Sequence, residues 1–174
     1  MLRFREEAST DILKGFECGI HEMDAFINDA LDDFLKNDPR YQLNVVADDE
    51  LGIVAMFVIS HGIFVDNDDE FQDIPFGKPW SFMDDDFQIQ SGMMYPALEI
   101  DYLAVRKDVR ESGYGSMIIE EISLRAKKKN FYFLTVDAYH TKGYSAIPFY
   151  EKQGFFAVQE YSEEYDTLRM ARRV

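Results

Sequence analysis

Between residues 97 and 129 an alternating segment runs into a loop with two glycines and then into a segment of helical period, a succession that only an α/β type of chain accommodates easily. Over 97–105, Glu99, Asp101, Leu103 and Val105 fall on one face and Ile100, Tyr102 and Ala104 on the other, the two-residue period of a strand. Over 114–129, Ile118, Ile122 and Ala126 form one row with Gly115 and Ile119 beside it, and Lys127, Lys128, Lys129 and Asn130 follow where a helix C-terminus favours cations. A strand that hands over to a helix through Arg110, Gly113 and Gly115 aims unpaired N–H groups and the positive end of the helix dipole at the loop, which makes a site for an anion such as a pyrophosphate.

The rest of the chain alternates in the same way. The spacing of Met23, Phe26, Ile27, Ala30, Leu31 and Phe34 predicts one amphipathic helix over 21–35, and residues 145–153 read as a short helix closed by Gly154. Strands are expected over 2–5, 131–139, 155–161 and 167–174, with a hairpin of strands 41–47 and 53–60. Between 61 and 96 the pattern breaks into acids (Asp66, Asp68, Asp69, Glu70, Asp84, Asp85, Asp86) interleaved with Phe64, Phe71, Phe76, Trp80, Phe82 and Phe87, read as an acidic aromatic insertion or lid. Its acids lack the glycine and glutamate of a calcium-binding EF-hand loop. With 174 residues, one domain spanning 1–174 is expected.

Charge narrows the partners. The net charge is -15, and residues 1–96 hold 21 acidic and 6 basic side chains against 12 of each in 97–174. A field of that sign repels nucleic-acid backbones and attracts a cationic amine or a basic peptide. Cys18 is the single cysteine and there are three histidines, so no disulfide and no metal-ligand spacing is expected. No apolar run reaches membrane-spanning length, and the charged start Met1, Leu2, Arg3, Phe4, Arg5 lacks the apolar stretch of a signal peptide; a cytoplasmic chain without a membrane contact is the expectation.

The loop resembles the signature of the GNAT N-acetyltransferase superfamily, in which a Gln or Arg is followed by two residues, a Gly, one residue, and a Gly or Ala; Arg110, Gly113 and Gly115 match it. Leu103, Ala104 and Val105 are similar to the strand ending before that loop, and Ala146, Phe149, Tyr150, Gly154 and Phe155 to the family's second coenzyme motif, so the likeness covers 97–156. It departs at Gly143, where the family often has an asparagine that contacts the pantetheine arm. The resemblance implies an α/β (α+β) fold with a mixed, splayed central sheet flanked by helices, acetyl-CoA as cosubstrate, and a homodimer. It also implies coenzyme phosphates on Arg110, Glu111, Ser112, Gly113, Tyr114, Gly115 and Ser116, with the pantetheine arm bonding like an extra strand beside Leu103 and Val105.

The chemistry asks for two more groups. A primary ammonium with a pKa of roughly 10 must lose a proton before it attacks a thioester. Glu99, spaced like the general base of histone-type members, is the first candidate and Asp101 the reserve. Tyr150, a phenol matched to a thiol leaving group, is the candidate general acid. Tyr139 and Tyr144 flank the same region, and His140 carries no assigned role. The expected function is acetyl transfer to a primary amine, small molecule or peptide, by direct attack in a ternary complex. An alternative comes from Phe16, Glu17, Cys18, Gly19, Met23, Asp24, Phe26 and Ile27, which resemble toxin-type GNAT proteins that acetylate aminoacyl-tRNA and pair with an antitoxin. The basic residues Arg106, Lys107, Arg110, Arg125, Lys127, Lys128 and Lys129 favour it, although they also suit coenzyme phosphates and helix capping. A non-catalytic module binding acyl-CoA or a protein is the second alternative.

Overall fold

Along the chain the described residues form β1 (Leu2–Glu7), α1 (His21–Asp29), α2 (Leu31–Asn37), β2 (Gln42–Asp48), β3 (Gly52–Asp66), β4 (Lys78–Met83), β5 (Ile89–Val105), α3 (Tyr114–Lys128), β6 (Phe133–Thr141), β7 (Tyr144–Ser145), α4 (Ile147–Lys152), β8 (Phe156–Ala157) and β9 (Thr167–Arg173). This computed structural model describes residues 1–67, 70–71, 73–75, 77–83, 89–158 and 166–174. The fold is mixed α/β with mostly antiparallel strands, as the alternation predicts. Its backbone falls into two units, one of Met1–Ser60, Ile100–Glu121 and Lys142–Tyr144 and one of His61–Glu99, Ile122–Thr141 and Ser145–Val174. No described helix is long and apolar enough to cross a membrane.

In the first unit β1, β2 and the start of β3 form an antiparallel ladder. The β2–β3 turn follows from its residues: the Asp48 carboxylate accepts the N–H of Glu50 at 3.0 Å and of Leu51 at 3.3 Å, and Gly52 takes a φ of +72°. Leu13, Phe16, Ile27, Leu31, Leu43, Val45, Met56, Val58 and Ala104 make the core. Where the spacing predicts one helix over 21–35, the chain breaks at Ala30 (φ -126°, ψ -23°). Packing explains the break. Phe26 and Phe34 would stand about 12 Å apart along a straight helix, yet their rings lie 5.7 Å apart and share Tyr102, which Phe26 stacks on at 4.2 Å and Phe34 meets edge-on at 5.5 Å.

In the second unit β6 and β9 pair antiparallel, with Val136 opposite Met170, β8 pairs β9, and β4 pairs β5 with Trp80 opposite Gly92. Phe64, Ile74, Tyr95, Ala97, Phe133 and Ala171 form its core. Within 61–96, where an acidic aromatic insertion or lid and no strand is expected, β3 runs on to Asp66, and β4 and the first part of β5 occupy much of the remainder. Two of its aromatic residues pack into that core, for Phe64 stacks on Phe133 at 4.1 Å and Phe71 meets the same ring edge-on at 5.0 Å. Buried Asp66 accepts the Phe71 N–H at 3.0 Å, and the Tyr95 hydroxyl donates to the Phe71 carbonyl at 2.8 Å. The acids Asp68, Asp69, Asp84, Asp85 and Asp86, Phe76, Phe87 and the end of the strand expected over 155–161 lie outside the described residues.

Candidate active site

The loop after β5 belongs to the first unit. One short turn (Lys107–Val109) leads to Arg110 in an extended conformation; Glu111 then takes φ +64° and Gly113 φ +86° before α3 begins. The Gly113 carbonyl accepts the Met117 N–H at 3.1 Å, the first bond of the helix. The N–H groups of Tyr114 and Gly115 therefore precede any helical acceptor, at the positive end of the 15-residue α3 dipole. A Cβ built on Gly113 meets nothing within 4 Å, so the backbone there borders open space. Leu103 and Val105, both half-buried, end the strand that delivers the loop.

The cations near this loop divide by task. Arg106 grips the β2–β3 turn, donating to the carbonyls of Leu51 at 2.8 Å and Ile53 at 2.7 Å, and pairs with Asp108. It therefore braces the sheet rather than offering itself to a phosphate. Lys107 pairs with Glu17, and Arg110 donates one N–H to the Cys18 carbonyl. The segment around Phe16 to Gly19 thus straps onto the loop. Asp24 secures the strap by accepting the Cys18 N–H at 2.6 Å and the Gly19 N–H at 2.9 Å. Burial opposes ionisation of Asp24, but those N–H donors and the Arg110 charge outweigh it and hold its pKa below the usual carboxylate value.

Cys18 is 1% exposed, and burial pushes its thiol up to about 11. Because the folded value lies above the ordinary 9.0, the stability gained from the neutral thiol is complete below pH 9 and is lost as the pH rises towards 11. Iodoacetamide at pH 8 is expected to modify native Cys18 at least ~10-fold more slowly than the urea-unfolded chain, read by mass spectrometry.

Glu99 and Tyr150 belong to the second unit. The Glu99 carboxylate, 14% exposed, is held by both N–H arms of Arg169, one of them at 2.7 Å, and by the Thr135 hydroxyl at 2.6 Å. Burial works against the Arg169 charge, yet Glu99 and Asp137, the latter at 3.4 Å, keep its pKa above the ordinary guanidinium value. Arg169→Met, which strands this carboxylate, should cost about 2 to 3 kcal/mol of folding stability, measured as a lowered urea midpoint with unchanged slope. The reserve residue Asp101 lies in the first unit and accepts the Ser60 hydroxyl at 3.2 Å.

Tyr150 sits in α4, 6% exposed, its ring edge-on to Phe149 at 5.0 Å and Phe155 at 5.2 Å. Three features fix that helix: Pro148 in its first turn, the Ser145 hydroxyl accepting the Ile147 N–H at 3.3 Å, and the Ala146 N–H bonding the Tyr139 carbonyl at 2.8 Å. His140 Nδ1 lies 2.8 Å from the same Ser145 hydroxyl, so His140 braces the start of α4. Tyr144, 38% exposed, has its phenol pKa raised by burial against the opposing Arg110 charge. A Cβ at Gly143 would meet nothing within 4 Å, so the family's asparagine is missing for want of a side chain, not of room.

Sequence reasoning missed Arg169, Thr135 and the strap. Asp137 stands opposite Arg169 across the β6–β9 ladder, and Thr135 shares a strand face with Asp137 two residues away; that parity of acid and base was the available signal.

A family model described as an acetyltransferase (GNAT) domain matches residues 44–156. No curated protein matches the chain. Among solved structures, a Tyr-to-Phe mutant of KacT is 19% identical, with a TM-score of 0.65, covering 97% of this chain and 93% of its own. AtaT complexed with acetyl-methionyl-tRNAfMet is 15% identical, with a TM-score of 0.64 over 97% and 94%. AtaTR bound with AcCoA is also 15% identical, with a TM-score of 0.64 over 97% and 92%. At these identities the likeness is one of fold, and it includes the N-terminal part.

Proposed function

The chain belongs to the GNAT acetyltransferase family, and on that premise we propose that it moves the acetyl group of acetyl-CoA to a primary amine by direct attack in a ternary complex. The observation that carries the reading is the loop before α3, where Gly113 at φ +86° borders open space at the start of the 15-residue helix. Those features suit a pyrophosphate: the backbone of 111–116 supplies donors, and Arg110 retains further N–H donors beyond the one given to Cys18. Leu103 and Val105 would offer backbone groups to the pantetheine arm. Acetyl-CoA supplies an activated thioester; the protein orients it and handles two protons.

Glu99 takes the proton from the ammonium, directly or through water, while Arg169 and Thr135 keep its carboxylate in one orientation. Asp101 is the alternative base. Tyr150 donates to the departing thiolate, and Phe149 and Phe155 hold its ring in place. A strongly acidic chain favours a cationic acceptor, a polyamine or a basic peptide.

A second reading has a specific support. KacT and AtaT share the fold over nearly the whole chain, and AtaT is found with acetyl-methionyl-tRNAfMet, so the acceptor would be the amino group of an aminoacyl-tRNA. Net charge speaks against it and the exposed Lys127, Lys128 and Lys129 for it. Thiol release from acetyl-CoA with polyamines, basic peptides and aminoacyl-tRNA in turn separates the two. Turnover on a small cation or peptide supports the first; turnover on aminoacyl-tRNA alone replaces it with the second.

A further inference from the structure

Within the first unit Cys18 and Gly19 run past the loop before α3, and the peptide group that joins them is gripped from both sides. Its N–H donates to the Asp24 carboxylate at 2.9 Å, and its carbonyl accepts an N–H of Arg110. A trans peptide is planar, with N–H and C=O pointing in opposite directions, so whatever fixes the one aims the other. The same carboxylate takes the Cys18 N–H at 2.6 Å, which pins the preceding peptide group as well. Donation to a charged acceptor also polarises the 18–19 peptide and makes its carbonyl a better partner for a guanidinium.

Asp24 is itself fixed, for it stands in the first turn of α1 and its N–H donates to the Ile20 carbonyl at 2.8 Å. Gly19 takes φ +80°, and a Cβ there would come within 3.3 Å of Lys107 Cβ, so the strap lies tight against the loop. Arg110 is exposed, and without the Cys18 carbonyl its long side chain would sample many rotamers.

Two effects of Asp24 on an anion at this loop oppose each other. Its charge repels a phosphate, although its N–H donors and the Arg110 charge already offset that repulsion. Its grip on the 18–19 peptide keeps Arg110 in place, and the ordering of one rotamer-rich side chain is worth roughly 3- to 10-fold in affinity. On the footing of the coenzyme site proposed above, we infer that Asp24 is a positioning residue for coenzyme affinity: through the Cys18–Gly19 peptide it holds the Arg110 guanidinium at the loop and leaves the remaining N–H groups for the pyrophosphate.

Acetyl-CoA titrated calorimetrically into the full chain and its variants provides the test, because the two effects differ in sign. Asp24→Asn removes the charge and sets an amide NH2 against one of the two N–H donors; it and Asp24→Ala should raise the Kd roughly 3- to 10-fold, whereas relief of repulsion alone would lower it. In an Arg110→Met background the same substitutions should change the Kd by less than about twofold, since no guanidinium is left to hold. Gly19→Ala crowds the strap from the Lys107 side and should reproduce both the loss and its dependence on Arg110, which keeps the test sound should Asp24→Ala misfold. A purely structural Asp24 would lower the Tm and leave the Kd of the folded chain unchanged. An unchanged or lower Kd in folded Asp24→Asn, or an equal loss in the Arg110→Met background, overturns the inference while the wild type's own binding keeps the coenzyme site standing. A wild type that takes up no acetyl-CoA removes the site and the positioning role together.

Discussion

Gly113→Glu is expected to abolish acetyl-CoA binding while leaving the fold standing. The position has φ +86°, so any side chain adds backbone strain of about 1 kcal/mol, but a Cβ there meets nothing and the folded protein has room for it. A glutamate carboxylate would project into the space proposed for the pyrophosphate and bring like charge to the α3 N-terminus. Saturating coenzyme at about 100 times its Kd should stabilise the wild type by about 2.7 kcal/mol, a rise in Tm of roughly 5 to 10 °C for a chain this size. The variant should show no rise. Gly113→Ala, with the strain but neither bulk nor charge, should keep most of it. A full rise in Gly113→Glu would move the coenzyme site away from this loop.

The second large effect concerns the chemical step. Tyr150→Phe should lower kcat by about 100- to 10,000-fold, the usual contribution of a positioned proton donor. The phenyl ring retains its edges against Phe149 and Phe155, so stability and coenzyme affinity should stay near wild type. A drop confined to kcat marks Tyr150 as the acid. Activity within twofold of wild type would reduce it to a core aromatic.

Helix α3 and its loop were legible because both signals are local: a row of Ile118, Ile122 and Ala126, and glycines at the positions where the backbone turns left-handed or starts the helix. The break at Ala30 was not, since the apolar row runs straight through it and Tyr102, seventy-two residues on, decides where Phe26 and Phe34 must meet. Strand content between 61 and 96 was obscured by acids, one of which, Asp66, is buried and caps a turn instead of facing water. For Glu99 the residue was visible but its environment was not. Arg169 arrives from another strand seventy positions later, so its tie to the carboxylate becomes plain only once β6 and β9 are in register. Arg106 looked like a phosphate ligand by its place beside the loop, and its carbonyl partners lie fifty-odd residues upstream.

Calorimetric titration of the wild-type chain with acetyl-CoA and with free CoA tests the central claim most directly. The proposed function predicts one saturable site per chain for both, competed by each other. A chain that takes up neither contradicts the acetyltransferase reading at its base.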